Sequence, residues 1–469
     1  MSRRIAQAAA ATLLAALLIS AVAPASAAPA TATRRVVVLF APYITWDDLG
    51  GGFMPHARAL ADKSLLANMN IRAGSAAGLN PPDRGALVIS AGASVVFAPE
   101  ALTAFDTSET VGPTLARDYY RRLFGSDPGL SQVVYLGLPL QVSTNLQTTL
   151  DNQIGALGAA VHARGLKTAA IGNGDPGWLV DPSRTSRPAG VAAADEKGIV
   201  DRGDVSVAML LRDSFAPFGT RADVARITAA YRSVLADPSV GLVFVDPGDL
   251  ERAAAAASIT STSAAAAAHN AALRSTDDVL GRVIESLGPE DVVVLMATSP
   301  IDVVDQPEGF APLMIAGPEG NGIATAASTH RDGIVTAMDV PVTLVDLLGG
   351  TPSEKMVGSL IHSGKTLVGA SLATRIAFLG QLNATCIAVE AVRWPIVTTY
   401  IVFAALAIII STLILFRGVE ALPSGTAVVA KAALLLVPAV LVGSVLQFAV
   451  WRWPPTILAV IGTFLACTV

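Results

Sequence analysis

From Pro395 to Phe416 the chain reads PIVTTYIVFAALAIIISTLILF, 22 positions without a charge. No other feature restricts the fold as much. About 20 consecutive apolar residues let a helix cross the hydrocarbon core of a bilayer, and backbone placed there has no water to bond, so helix is the conformation left to it. The run therefore predicts a transmembrane helix over 395–416. Residues 432–451, AALLLVPAVLVGSVLQFAVW, predict a second, and 455–469 a third, shorter span within which the sequence stops. Trp394, Trp451 and Trp453 flank these runs, where indole rings favour the headgroup layer.

The opposite end carries a second targeting signal. Arg3 and Arg4 precede an apolar stretch that closes on Ala25-Ser26-Ala27, the pattern of a secretory signal peptide over residues 1–27. Export of the chain beyond that signal places residues 28–370 outside the cytoplasm, with 371–394 as a helical lead-in to the membrane and 417–425 as a short cytoplasmic loop. The expected location is the cell membrane, with the large N-terminal part extracytoplasmic and membrane lipid as its first partner. These apolar ends also explain why 15% of residues are charged, against a usual share of roughly 25%. A formal net charge of −5, with no basic run in the exported part, argues against a nucleic-acid partner. Cys386 and Cys467 lie in the membrane-proximal part, so the exported domain has no disulfide framework and no thiolate metal cluster.

Within that domain, apolar runs recur at Val36–Phe40, Val133–Leu136, Thr168–Ile171, Val205–Leu210, Gly241–Val245, Asp291–Met296 and Pro312–Ile315. Helical patterns such as 223–237 and 266–288 lie between them, and the Ala/Ser/Thr-rich stretch 252–268 reads as a helix with a soft start. Strands apolar on both faces, alternating with helices, predict an α/β fold: a mostly parallel sheet with helices on both faces.

Few motifs carry chemistry. Residues 172–177 spell G-x-G-x-x-G, but the next residues, WLVDPSRTSRP, fit no helix, and a dinucleotide site needs one there; a glycine turn is the plain reading. Gly364-Lys365-Thr366 lacks the first P-loop glycine, the position being Ser359. No G-x-S-x-G elbow is present, and the histidines at 56, 162, 269, 330 and 362 are scattered. That leaves 243-VFVDPGDLER-252, where Asp246 and Asp249 come after a strand end. Two carboxylates there suit metal or acid–base work, and they equally suit a helix N-terminus.

Four segments, in order, resemble the alkaline-phosphatase-like superfamily. They are the opening strand with Trp46-Asp47-Asp48-Leu49, then 241-GLVFVDPGDLER-252, 291-DVVVLMATSP-300, and 312-PLMIAGPEG-320 with 333-GIVTAMDVPVTLVDLLGG-350 after it. Asp339, Pro341, Thr343 and Leu348-Gly349 carry the most specific match, with one shift at the Thr; 68-NMNIRAG-74 and 328-STHRDGIVTAMD-339 suggest a membrane-linked bacterial branch of unassigned role. The resemblance spans roughly residues 34–350. It implies an alkaline-phosphatase-like sheet and, in active members, two divalent ions that activate a Ser or Thr nucleophile.

The implied ligands do not carry over. Phe40-Ala41-Pro42 stands at the first strand end, Leu250 and Arg252 come after Asp246 where a His is expected, and Ala297-Thr298-Ser299-Pro300 replaces Asp-His-Gly. Asp246 and Asp249 are read as vestigial metal ligands, Ser90 and Asp249 as the catalytic candidates, and Arg72, Arg84 and Arg331 as candidate anion contacts. No cofactor is expected; an active protein would use a divalent Mg, Ca or Zn. The expectation is a membrane-anchored alkaline-phosphatase-like pseudoenzyme that binds or scaffolds at the cell envelope, with a glycolipid or protein partner. The alternatives are a metal-dependent hydrolase or phospho-group transferase on an envelope substrate, and a sensor or receptor domain of a longer multi-span protein.

Overall fold

A computed structural model describes residues 34–71, 82–101, 103–176, 185–300 and 309–417. The signal-peptide reading, Arg72 and the predicted spans 432–451 and 455–469 lie outside them. The described residues form two compact units, one reaching Asn383 and one from Ala384 onward.

The first unit is organised by a ten-stranded sheet. Its strands are β1 (Val36–Phe40), β2 (Leu65–Asn70), β3 (Lys167–Gly172), β4 (Arg202–Asp204), β5 (Val240–Asp246), β6 (Val292–Met296), β7 (Ala311–Ala316), β8 (Gly322–Ala326), β9 (Ile334–Thr336) and β10 (Ile361–Ser363). They lie in the order β10-β8-β2-β7-β6-β1-β5-β3-β4, with β9 also pairing with β2. β1 runs parallel to both neighbours, Val38 standing beside Phe244 and Val294, while β7 is antiparallel to β6 and β2 and β10 to β8. The mostly parallel sheet expected from the apolar runs is thus present, with two reversed strands.

Strands such as VVVLF and VVVLM bury every side chain, which requires cover on both faces. Helices α1 (Pro55–Asp62), α2 (Pro82–Ala91), α3 (Ala156–Ala163), α4 (Pro188–Ala193), α5 (Val224–Leu235), α6 (Asp249–Ala257), α7 (Thr262–Ile284) and α8 (Asp339–Leu347) provide it, and a last helix, α9 (Leu372–Arg417), adds Leu379 from its first turns to the core. α7 packs with α1, α5 and α6, and α2 with α3, α4 and α8, giving one layer on each side.

Three expectations are corrected. Val205–Leu210 is not a strand: Ser206 caps a short 3-10 turn over Val207–Met209, and a strand begins only at Leu210. Val133–Leu136 contributes Val133–Tyr135 to a separate three-stranded sheet. The stretch 252–268 is two helices, because α6 ends at Ala257 and the Ser261 hydroxyl accepts the Ala264 N–H to start α7. A local side-chain cap outweighs the helix propensity of the alanines there.

Among the described residues one helical stretch is long and apolar enough to cross a membrane, Leu372–Ala391 at the start of α9, which was expected as the lead-in to a span over 395–416. Its first turns belong to the first unit: Leu379 and Leu382 are buried, and the Arg375 guanidinium donates to the carbonyls of Ser64 and Asp62 at 3.0 Å. Further along, Ile401, Ile408, Ile409 and Phe416 are exposed.

Candidate functional site

Five parallel strands, β6, β1, β5, β3 and β4, end at one edge, the edge where an α/β sheet gathers chemistry. At its centre β1 delivers only apolar chain. Ala41 N–H donates to the Met296 carbonyl and Tyr43 N–H to the Ser299 carbonyl, at 2.8 and 2.9 Å, so this loop is sewn to the one after β6 and buried. Two glycines bring the neighbouring turns together. Gly172 at the end of β3 has φ +104, and a Cβ there would lie 1.9 Å from the Asp246 carbonyl oxygen; Gly248 has φ +74, and its Cβ would meet the Asn173 oxygen at 2.4 Å. Only glycine fits both the left-handed backbone and the contact.

Asp246 ends β5 and is 1% exposed. Its Oδ1 accepts the Gly248 N–H, and its Oδ2 has no hydrogen-bond partner among the described residues. Burial pushes its pKa up to about 7, opposed by the Gly248 N–H and by nearby Arg252. Asp249 opens α6, and both its oxygens accept hydrogen bonds: Oδ1 from the Ala222 N–H at 2.9 Å and from Arg252 Nη2 at 2.8 Å, and Oδ2 from the Ser275 hydroxyl at 2.6 Å. Arg252, one turn further along α6, also donates to the carbonyls of Asn173, Asp175 and Pro247.

A second group lies alongside. The Ser186 hydroxyl is bracketed by Asp83 Oδ2 at 2.7 Å and Glu251 Oε2 at 3.0 Å. Burial lifts Asp83 to about 6, against the hydrogen bond from Ser186. Glu251 is raised well above its ordinary value by burial and by the charges of Asp83 and Asp246. Arg187, 2% exposed, bridges Glu109 and Asp175 at 2.5 and 2.9 Å and stands over the Phe105 ring.

The structure thus brings Asp246 and Asp249 to one edge and leaves the other candidates elsewhere. Ser90 is fully buried in α2, its oxygen accepting the Gly155 N–H at 3.1 Å; it lies seven residues beyond Asp83, about 10 Å along the helix. Arg84 is buried in the first turn of α2, while Arg331 is exposed in the turn between β8 and β9. Three histidines pair with other carboxylates: His56 with Asp277, His162 with Asp195 and Asp201, and His269 with Asp48 in the turn that follows the loop after β1. Asp83, Asp175, Ser186, Arg187 and Glu251 carry no signal in the sequence that singles them out. Glu251 lies within the quoted 243–252 segment and Asp175 within the glycine turn, but only folding joins them to α2.

The dinuclear site implied by the resemblance does not fit these residues. Asp249 Oδ1 accepts from the buried Arg252 guanidinium, which also donates to the carbonyls of Asn173, Asp175 and Pro247, so a fixed positive charge already occupies the space between the β3 and β5 turns. No cluster of three or more His, Cys, Asp or Glu able to hold a metal ion occurs among the described residues.

No protein-family model and no curated protein matches the chain. Among solved structures it is similar to the lipoteichoic acid synthase LtaP from Listeria monocytogenes, with 11% identity, TM-score 0.39, and coverage of 71% of this chain and 77% of that one. It is also similar to an alkaline phosphatase superfamily protein from Vibrio parahaemolyticus, with 12% identity, TM-score 0.39, and coverage of 69% and 68%. A phosphonate monoester hydrolase from Silicibacter pomeroyi matches at 12% identity and TM-score 0.36, covering 72% and 77%.

Proposed function

We propose that the protein is a membrane-anchored, extracytoplasmic alkaline-phosphatase-like domain that acts by binding or scaffolding at the cell envelope, without a dinuclear metal centre. The observation that carries this reading is Asp249. Its Oδ1 already accepts from the Ala222 N–H and from the buried Arg252 guanidinium, and a fixed positive charge against that oxygen repels a divalent ion. Anchoring rests on the charge-free run 395–416 within α9, and export on the N-terminal signal. A phosphorylated glycolipid or an envelope protein is the partner class this reading favours.

One observation favours a second reading, an active hydrolase or phospho-group transferase. Ser186 sits between two carboxyls whose proton affinities are raised toward neutrality, the setting of a hydroxyl nucleophile beside a general base. The same experiment addresses both: metal content of the purified full chain by elemental mass spectrometry, with turnover of phosphate and sulfate monoesters. The binding reading expects no stoichiometric divalent ion and no turnover. Turnover that survives chelation and is lost in Ser186→Ala establishes the second reading, and about two bound divalent ions overturn the first.

A further inference from the structure

The Arg252 side chain is 0% exposed, and every nitrogen of its guanidinium has an oxygen to meet. Nε and Nη2 donate to Asp249 Oδ1 at 3.3 and 2.8 Å, Nη2 also to the Pro247 carbonyl at 2.8 Å, and Nη1 to the Asn173 and Asp175 carbonyls at 3.0 Å. These oxygens come from the two turns pressed together at Gly172 and Gly248. Asp246, whose Oδ2 has no partner among the described residues, lies close enough for the Arg252 charge to act on it. One carboxylate and three carbonyls, with a second carboxylate nearby, form an all-oxygen donor set, the kind that hard divalent cations take.

We infer that Arg252 is the resident cation of this edge: its guanidinium fills, in place of a metal ion, an oxygen cage made by Asp249 and the carbonyls of Asn173, Asp175 and Pro247. This rests on the proposed absence of a metal centre at the edge, and adds that the cage itself persists. An arginine that only packs would leave nothing behind when removed. A resident cation leaves a vacancy of negative potential lined by oxygens, which calcium can enter. Arg252→Ala opens that vacancy, whereas Arg252→Met removes the charge and keeps most of the volume filled.

The test is thermal unfolding and calcium titration calorimetry on the full chain in detergent. Wild-type Tm does not respond to millimolar calcium. Arg252→Ala melts lower by on the order of 5–10 °C; calcium restores at least half of the loss and binds at about one ion per chain. Arg252→Met melts low and is not restored. Should Arg252→Ala fail to fold, Arg252→Lys and Arg252→Gln decide: the resident-cation role expects Lys to keep more of the wild-type Tm than Gln, and the reverse order overturns it. No calcium response in a folded Arg252→Ala chain, beside a metal-free and inactive wild type, overturns this inference and leaves the proposed function standing. Divalent ion bound by the wild type overturns that reading as well.

Discussion

Arg252 Nη2 lies 2.8 Å from Asp249 Oδ1, and the two side chains are 0% and 8% exposed. A pair so deeply buried stabilises only while both members are present, because each charge alone is desolvated without compensation. Asp249→Ala also strips acceptors from the Ala222 N–H and the Ser275 hydroxyl. The expected loss is about 3–5 kcal/mol, read by urea or guanidinium unfolding. A loss below about 1 kcal/mol would show the pair to be solvated in the native protein.

Arg187 makes a sterically stricter demand. Its fork spans Glu109 and Asp175 at once, with Phe105 beneath. A lysine keeps the charge but not the planar bidentate geometry. Arg187→Lys is therefore expected to cost on the order of 2 kcal/mol, visible as a lower denaturation midpoint with an unchanged slope. Full stability in this variant would mean that charge alone holds the site.

Asp83 gives a pH dependence of defined sign. Its folded pKa, about 6, lies above the ordinary 3.8 because burial disfavours the anion. Folding is thus most favourable, as far as Asp83 is concerned, below about pH 4, and that contribution falls away as pH rises to about 6. Asp83→Asn should remove this slope and raise stability above pH 6 relative to the wild type by about 2 kcal/mol. Denaturation midpoints measured from pH 4 to 8 read it out; parallel curves for the two proteins would refute the assignment.

His162 acts in the opposite sense. Burial opposes its charged form, but hydrogen bonds to Asp195 and Asp201 outweigh that and lift its pKa to about 10. Its stabilisation is present in full below about pH 6.5 and is lost as pH rises through about 10. His162→Gln should lose on the order of 2–4 kcal/mol at pH 6 and show a flatter profile toward pH 10. Nuclear magnetic resonance titration of the imidazole checks the cause directly.

Asn68 joins β2 to the loop after β1 and to α9. Its Oδ1 accepts the Trp46 indole N–H at 2.7 Å and its Nδ2 donates to the Leu379 carbonyl at 2.8 Å. Asn68→Ala leaves both buried partners unmade, at an expected cost of about 2–4 kcal/mol. Ending the chain at Ser371 should likewise destabilise the domain, because Leu379, Leu382 and Arg375 leave with the helix. Equal melting of the two truncations at 371 and 383 would contradict this docking.

Apolar runs marked five of the ten strands of the sheet directly. VVVLF, GLVFV and VVVLM can satisfy their side chains only when covered on both faces, so these strands and the mostly parallel character of their sheet were legible, though not which strand pairs with which. Strands with mixed or small side chains, such as LLANMN and GIATA, carry no such pattern and take their place from neighbours. The pairing of Asp249 with Arg252 was equally within reach, since three residues on a helix share a face. The length and charge-free character of 395–416 likewise came from sequence alone.

The partnership of Ser186 with Asp83 and Glu251, 103 and 65 residues away, did not. Hydrophobic periodicity reports which face of an element is buried, because burial is a property of each side chain and its near neighbours. Which polar group meets which depends on where separate strands end in space, and local sequence holds no record of that distance. Composition and pattern therefore settled the layers; only the tertiary structure decided that a guanidinium closes the edge and that a serine lies between two acids beside it.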